Sequence, residues 1–248
     1  MSEVAAVAAP VLARATAGGG ATLDWKQLGE GLDTLGFARL PGLISAEEAA
    51  AIAALYSEDA RFRSRVVMQR HGYGQGEYRY FAHPLPALVT ELRQRFYAPL
   101  AEIANRWQAQ LGSDLRYPSR YDEFLERCHA AGQTRPTPLL LRYRAGDYNC
   151  LHQDLYGAEV FPLQLAILLS QPGRDFSGGE FVMTEQRPRM QSRAQVIALG
   201  QGDGVVFPVN ERPQSGSRGF YRLRHRHGVS RLESGERYTL GIIFHDAQ

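Results

Sequence analysis

His152 and Asp154 stand two residues apart, a second histidine, His227, comes much later, and Arg237 follows that. On a strand, residues i and i+2 leave the same face, so His152 and Asp154 can grip one ion. Two imidazoles and one carboxylate that leave coordination positions open suit an iron(II) that must also hold oxygen and a cosubstrate. A lone His-x-Asp pair would equally describe a surface histidine beside a solvated aspartate. The order of parts is what separates the two: His-x-Asp, a set of short strands, a distal histidine, then an arginine about one strand later.

His225 competes with His227 for the third ligand position, because it lies two residues earlier and shares its face. His227 is preferred, since Gly228 and Val229 follow it and Arg237 then falls at the expected spacing. The catalytic and metal set is therefore His152, Asp154 and His227. Arg237 opens the last strand and Thr239 shares its face. A guanidinium there could take the far carboxylate of a dicarboxylic acid bidentately, with the Thr239 hydroxyl adding a hydrogen bond. Tyr143, just upstream of the first ligand, could reach the same carboxylate or simply fill core. Loops 187–193 and 210–218, rich in Arg, Gln, Asn and Ser, are the candidate substrate contacts, with Arg187, Arg189, Asn210 and Arg212 as the residues; solvated hairpins explain them as well.

These side chains need a scaffold. Asp24 caps a predicted helix that ends at Gly36. Phe37 to Leu40 reads as a short strand, and Ser45 with Glu48 forms a capping box opening a second helix to about Tyr56. Leu88, Leu92, Phe96, Leu100, Ile103 and Trp107 recur at helical spacing over 86–111, where Pro99 is expected to kink or divide the helix. A further helix is expected over 121–131. Between them, Arg61, Arg63 and Arg65 alternate as on one strand face, and Tyr73, Tyr78, Tyr80 and Phe81 lie among glycines, as a substrate lid or as a solvated strand with a mobile loop.

From Pro138 the period changes. Eight short runs bounded by Gly, Pro, Asp and Asn read as strands: 139–143, 148–155, 163–170, 180–184, 194–199, 205–208, 220–229 and 238–244. That predicts a mainly β protein with supporting helices, a jelly roll carrying helices on its outer face. Residues 24–248 are expected to form one domain, with helical support over 24–136 and the jelly-roll core over 137–248.

The 248 residues suffice for a full core, and a net charge of +2 does not by itself argue for a nucleic-acid partner. Lys26 is the only lysine, so nearly all positive charge is arginine, which fits phosphate or carboxylate recognition or a codon bias running through the chain. Cys128 and Cys150 show no framework spacing, as expected of free thiols in a reducing, cytoplasmic compartment. Residues 4–13 are apolar, but Glu3 precedes them and Pro10 interrupts them, so residues 1–23 read as a disordered tail, not a signal peptide. No run approaches the length of a membrane span.

The segment Tyr148-Asn149-Cys150-Leu151-His152-Gln153-Asp154-Leu155-Tyr156-Gly157, together with Gly178-Gly179-Glu180-Phe181, Thr184-Glu185-Gln186-Arg187-Pro188-Arg189, Arg226-His227-Gly228-Val229 and Leu240-Gly241-Ile242-Ile243-Phe244-His245-Asp246, resembles a known family. It is similar to the Fe(II)/2-oxoglutarate dioxygenase superfamily, and within it to the bacterial Oxygenase-NA group, probable oxidative demethylases of damaged DNA bases. The resemblance implies a double-stranded β-helix (a cupin-like jelly roll), Fe(II), 2-oxoglutarate as cosubstrate, O2, and hydroxylation of a C–H bond with 2-oxoglutarate converted to succinate. Nucleic acid is then a candidate partner, the primary substrate being otherwise unidentified. The position two after Arg237 is Thr239, where well-characterised DNA dealkylases carry Asn. A prolyl-hydroxylase-like peptidyl or free-amino-acid hydroxylase is the alternative, and a non-catalytic cupin-like metal-binding module is the reading from another class.

Overall fold

The computed structural model describes residues 23–248. The tail expected over 1–23 lies outside the described residues except for Leu23, which packs on the helical core. In chain order the helices are α1 (Trp25–Leu35), α2 (Ala46–Ala54), α3 (Ala87–Gln110) and α4 (Tyr121–Ala130). The strands are β1 (Ala38–Leu40), β2 (Phe62–Val67), β3 (Gly74–Gln75), β4 (Glu77–Phe81), β5 (Leu139–Arg144), β6 (Tyr148–His152), β7 (Leu163–Leu168), β8 (Phe176–Gly178), β9 (Phe181–Gln186), β10 (Arg193–Ile197), β11 (Gly204–Pro208), β12 (Glu211–Gly216), β13 (Gly219–Val229) and β14 (Leu232–Ile242).

All strand pairs are antiparallel and fall into two sheets. The major sheet runs β1-β11-β7-β14-β5-β4-β2, with β8 on β14; the minor runs β10-β9-β13-β6-β3, with β12 on β13. Strands remote in sequence alternate between the sheets, which is the double-stranded β-helix. The N-terminal half is less purely helical than its sequence suggests: β1, β2 and β4 extend the major sheet and β3 edges the minor one. The expected loop 210–218 is also largely strand, because β12 pairs with β13 from Glu211↔Arg224 to Gly216↔Gly219.

The helices form where local chemistry supports them. Asp24 accepts a hydrogen bond from the Gln27 amide and Gly36 ends α1 in the left-handed region. Ser45 and Glu48 close the capping box of α2. α3 runs through Pro99 without dividing. An interior proline costs about 3 kcal/mol, but Leu92, Phe96, Leu100, Ile103 and Trp107 are all buried on one side of α3, and each such burial contributes about 1.5–3 kcal/mol. Trp107 also donates to Asp33 of α1 at 2.7 Å. The helices pack with β7, β14 and Phe161 in one apolar cluster on the major sheet, so that sheet is backed by helices on one face and presents the other to the minor sheet.

In the stretch 61–81 the arginines do not share a face. A register shift between Phe62 and Ser64 sends Arg63 over the Tyr80 ring, while Arg65 reaches Glu77. β4 alternates normally, so Tyr78 and Tyr80 face inward together.

Candidate active site

Between the sheets lies a cavity of about 330 Å³. At its centre β13 meets β6 with His227 opposite His152. The pairing then slips, since Val229 opposes Asn149, and Gly228 occupies the slip. A Cβ there would approach the Asn149 carbonyl oxygen to 2.6 Å, so glycine is what lets the two strands close on each other. β6 is shorter than its sequence suggests and ends at His152. Asp154 nevertheless turns back to the same point.

His152 Nε2 lies 3.5 Å from one Asp154 oxygen and His227 Nε2 lies 3.4 Å from the other. One ligand atom from each of the three residues falls within 4.8 Å of the others, a group that could hold a metal ion. His152 Nδ1 is 2.8 Å from the Cys150 carbonyl, which can only accept, so the proton sits on Nδ1 and Nε2 keeps its lone pair. Burial and the neighbouring His227 lower the His152 pKa, which favours this neutral ring. Burial alone would raise Asp154, but the His227 and His152 rings more than offset it and hold the carboxyl below its usual range. Two imidazoles and a carboxylate converging with room beside them fit iron(II) with open positions.

Arg237 lies deeper and is 2% exposed. Its Nη1 donates to the Thr239 hydroxyl at 2.6 Å, and its guanidinium faces the Tyr143 and Phe176 rings. Nε has no partner, nor has the buried Tyr143 hydroxyl. Among the described residues no carboxylate forms an ion pair with Arg237. Burial pushes its pKa down to about 10. A buried cation without an anion is expensive, so the arrangement fits a carboxylate brought by a ligand, with Arg237, Thr239 and Tyr143 at its far end. Gly179 makes room: a Cβ there would meet Leu232 at 2.2 Å and Arg237 Cδ at 3.2 Å.

The six residues His152, Asp154, His227, Arg237, Thr239 and Tyr143 all line the one cavity. Arg187, Arg189, Asn210 and Arg212 do not. Arg187 and Arg189 are exposed on the β9–β10 loop. Asn210 accepts from the Gln153 amide at 2.6 Å and so helps hold the turn after the first ligand. Arg212 is the clearest correction: it is 1% exposed and donates to the Asp33 and Thr34 carbonyls that end α1, so it clamps helix to barrel and cannot reach a substrate. His225 sits on the His227 face but packs against Arg212 and Gly36, whose added Cβ would come within 2.6 Å of its ring. Burial and the Arg212 charge push it down to about 3.

Sequence reasoning missed Gln164, Asn149, Tyr156 and Phe207, which also line the cavity. Gln164 left a signal, a lone amide in the wholly buried strand Leu163–Leu168. Its buried Nε2 has no hydrogen-bond partner within reach. Tyr78, Tyr80 and Tyr156 ring the Asp154 side, and burial followed by the Asp154 charge raises the pKa of Tyr80 and Tyr156.

A family model described as an oxygenase catalysing oxidative methylation of damaged DNA, Oxygenase-NA, matches residues 76–247. The chain belongs to the Oxygenase-NA family. An uncharacterized protein of Mycobacterium tuberculosis is 51% identical over 167 residues, covering 67% of this chain and 72% of its own. Among solved structures, a Pseudomonas putida prolyl-4-hydroxylase superposes with a TM-score of 0.55 at 12% identity, over 90% of this chain and 99% of that one. A 2OG-Fe(II) oxygenase-family oxidoreductase from Burkholderia pseudomallei does so with a TM-score of 0.52 at 20% identity, over 94% and 95%. These likenesses are of fold. The Oxygenase-NA protein is thus an oxidoreductase of the Fe(II)/2-oxoglutarate dioxygenase superfamily, with Fe(II), 2-oxoglutarate and O2 as its cofactors. No described helix is long and apolar enough to cross a membrane.

Proposed function

We propose that this oxygenase removes methyl groups oxidatively from alkylated nucleobases, with His152, Asp154 and His227 holding Fe(II) and Arg237, Thr239 and Tyr143 fixing the distal carboxylate of 2-oxoglutarate. The observation that carries the assignment of roles is the buried, unpaired guanidinium of Arg237 beside an open two-histidine, one-carboxylate group. When bound, iron and 2-oxoglutarate supply the oxidising power that places an oxygen on a substrate C–H carbon, with carbon dioxide and succinate as coproducts. An N-methyl carbon hydroxylated in this way leaves as formaldehyde.

The chain's own residues do the rest. Arg237 and Thr239 orient the cosubstrate so that its reacting end points to the metal ligands, and Leu139, Leu141, Ile243 and Phe207 wall the chamber against water. Toward the mouth the lining is aromatic: Tyr73, Tyr78, Tyr80 and Tyr156. Beyond the ligand group and Arg237, no acidic or basic side chain among the described residues lines the cavity. A flat, uncharged ring with hydrogen-bonding edges suits that lining, whereas a free amino acid would leave its ammonium and carboxylate unpaired.

The test is to incubate the iron-loaded protein with 2-oxoglutarate and either methylated oligonucleotides or a peptide pool. A loss of one methylene from DNA with formaldehyde release supports the reading. Addition of one oxygen to a peptide, with DNA untouched, replaces it with a peptidyl hydroxylase. Absence of any 2-oxoglutarate turnover in the folded, iron-loaded protein overturns the assigned roles.

A further inference from the structure

The outward face of the minor sheet carries a single file of arginines. On β13 the positions Phe220, Arg222, Arg224 and Arg226 alternate outward and are exposed or partly so, while Leu223, His225 and His227 point in. Arg187, Arg189 and Arg218 are exposed on the loops at the far end of the same strands. The outward positions of β6, β9, β10, β12 and β13 offer one carboxylate, Glu211, which Arg222 reaches at 3.0 Å and Arg224 at 3.4 Å. Arg226 forms no ion pair among the described residues.

A merely solvated sheet face would place opposite charges across the strands, because such pairs stabilise it. Here one acid serves three arginines: Glu211 on β12 opposes Arg224, whose partner on β9 is Gln186, while Pro213 opposes Arg222 and Thr184 opposes Arg226. Like charges two residues apart lie only about 6.7 Å from each other, so the row is held against its own repulsion. That spacing is comparable with the separation of successive phosphates along an extended strand.

The row also leads somewhere. β13, β6 and β3 are successive strands of the sheet, so β3 lies two strand spacings, roughly 10 Å, to the side of β13, level with Val229 and three residues beyond Arg226. Tyr73 immediately precedes β3 and lines the cavity. At the other end Phe220 is 48% exposed. A narrow cationic track with an aromatic ring at each end matches a single strand, whose backbone is followed by cations and whose bases stack. A membrane surface or a duplex would favour a broad patch.

We infer that Arg222, Arg224 and Arg226 form a docking track for the backbone of single-stranded nucleic acid, which continues over the sheet edge to the cavity mouth. This rests on the nucleobase reading above. Binding displaces Glu211 from Arg222 and Arg224, so Glu211 weakens the track and limits nonspecific adhesion.

Fluorescence anisotropy with an unmodified labelled twelve-nucleotide single strand tests it in the full-length protein. The triple variant Arg222→Gln/Arg224→Gln/Arg226→Gln should bind on the order of tenfold more weakly at low salt, and its log K against log salt slope should be shallower by about 2, at about 0.7 for each phosphate left without its arginine. Glu211→Gln should bind more tightly than the parent. Arg116→Gln/Arg120→Gln, which removes charge from the loop before α4, should change neither. Circular dichroism and uncoupled 2-oxoglutarate turnover should stay at parental levels in the triple variant, which excludes misfolding. Equal affinity and slope in parent and triple variant overturn the track, as does equal or preferred binding to vesicles of anionic lipid. Demethylation of a methylated trinucleotide, too short to span the track, reports separately on the nucleobase reading: if the trinucleotide is a substrate and a longer strand gains nothing from Arg222, Arg224 and Arg226, the track fails alone.

Discussion

Arg93 and Arg237 are each 2% exposed, yet they sit in opposite electrostatic circumstances. Arg93, on α3, donates to Asp246 at 2.9 Å and to the Phe244 carbonyl at 2.9 Å, and His129 reaches the other Asp246 oxygen at 3.1 Å. It ties the helical layer to the end of the chain. Arg237, inside the barrel, has a hydroxyl and two ring faces beside it and no carboxylate paired with it. The first cation is matched from within the fold. The second is matched only when a ligand arrives, so the fold bears a cost that binding recovers.

The largest expected effect tests the group that makes the Arg237 side a site at all. His227→Ala or Asp154→Ala should abolish succinate formation, a loss well beyond the roughly 10- to 100-fold that removing an outer hydrogen-bond partner of a ligand costs; residual turnover within about tenfold of the parent would refute the ligand set. Next comes the contrast between the arginines. Arg93→Met leaves Asp246 buried and should cost about 3–5 kcal/mol in urea unfolding. Arg237→Met should leave stability unchanged or raised, while weakening 2-oxoglutarate binding by about 2–5 kcal/mol, because the incoming carboxylate finds no partner. If Arg237→Met unfolds the protein as Arg93→Met does, the two regions do not differ as described.

A pH effect belongs to the matched side. Burial and the Arg93 charge push His245 down to about 4, and its Nδ1 accepts from the Phe161 amide at 3.2 Å. Below about pH 6.5 the unfolded chain takes up a proton that the folded ring refuses. The stability present above that pH is therefore lost as pH falls toward 4, on the order of 3 kcal/mol in all. His245→Asn, which keeps an acceptor and cannot titrate, should flatten unfolding midpoints between about pH 7 and 4.5. The smallest effect is Tyr143→Phe, which should weaken 2-oxoglutarate binding by about 1 kcal/mol, one neutral hydrogen bond, with stability little changed because its hydroxyl has no partner in the fold.

Some of this was legible before any coordinates. Capping residues at Asp24 and Ser45, the helical spacing of α3 and the change of period after Pro138 are local properties, and local geometry repeats wherever the residues recur. The substrate loops were read less well. Arg212 has the same composition signal as Arg187, and only the packing of β12 against the end of α1 distinguishes a buried clamp from a surface charge. The separation of Arg63 from Arg65 depends on a one-residue slip in β2. Such a slip reverses the face of every later side chain.

By itself, then, the sequence settled which atoms were on offer: two imidazoles, a carboxylate, a guanidinium, and the strand period that points alternate residues inward. Those follow from covalent spacing. The tertiary structure decided that His227 and not His225 meets His152, that no described carboxylate pairs with Arg237, and that Gln164 borders the chamber. Each of those depends on which distant strands pair and in what register, a choice made by the summed packing of both sheets and visible in no single stretch of the chain.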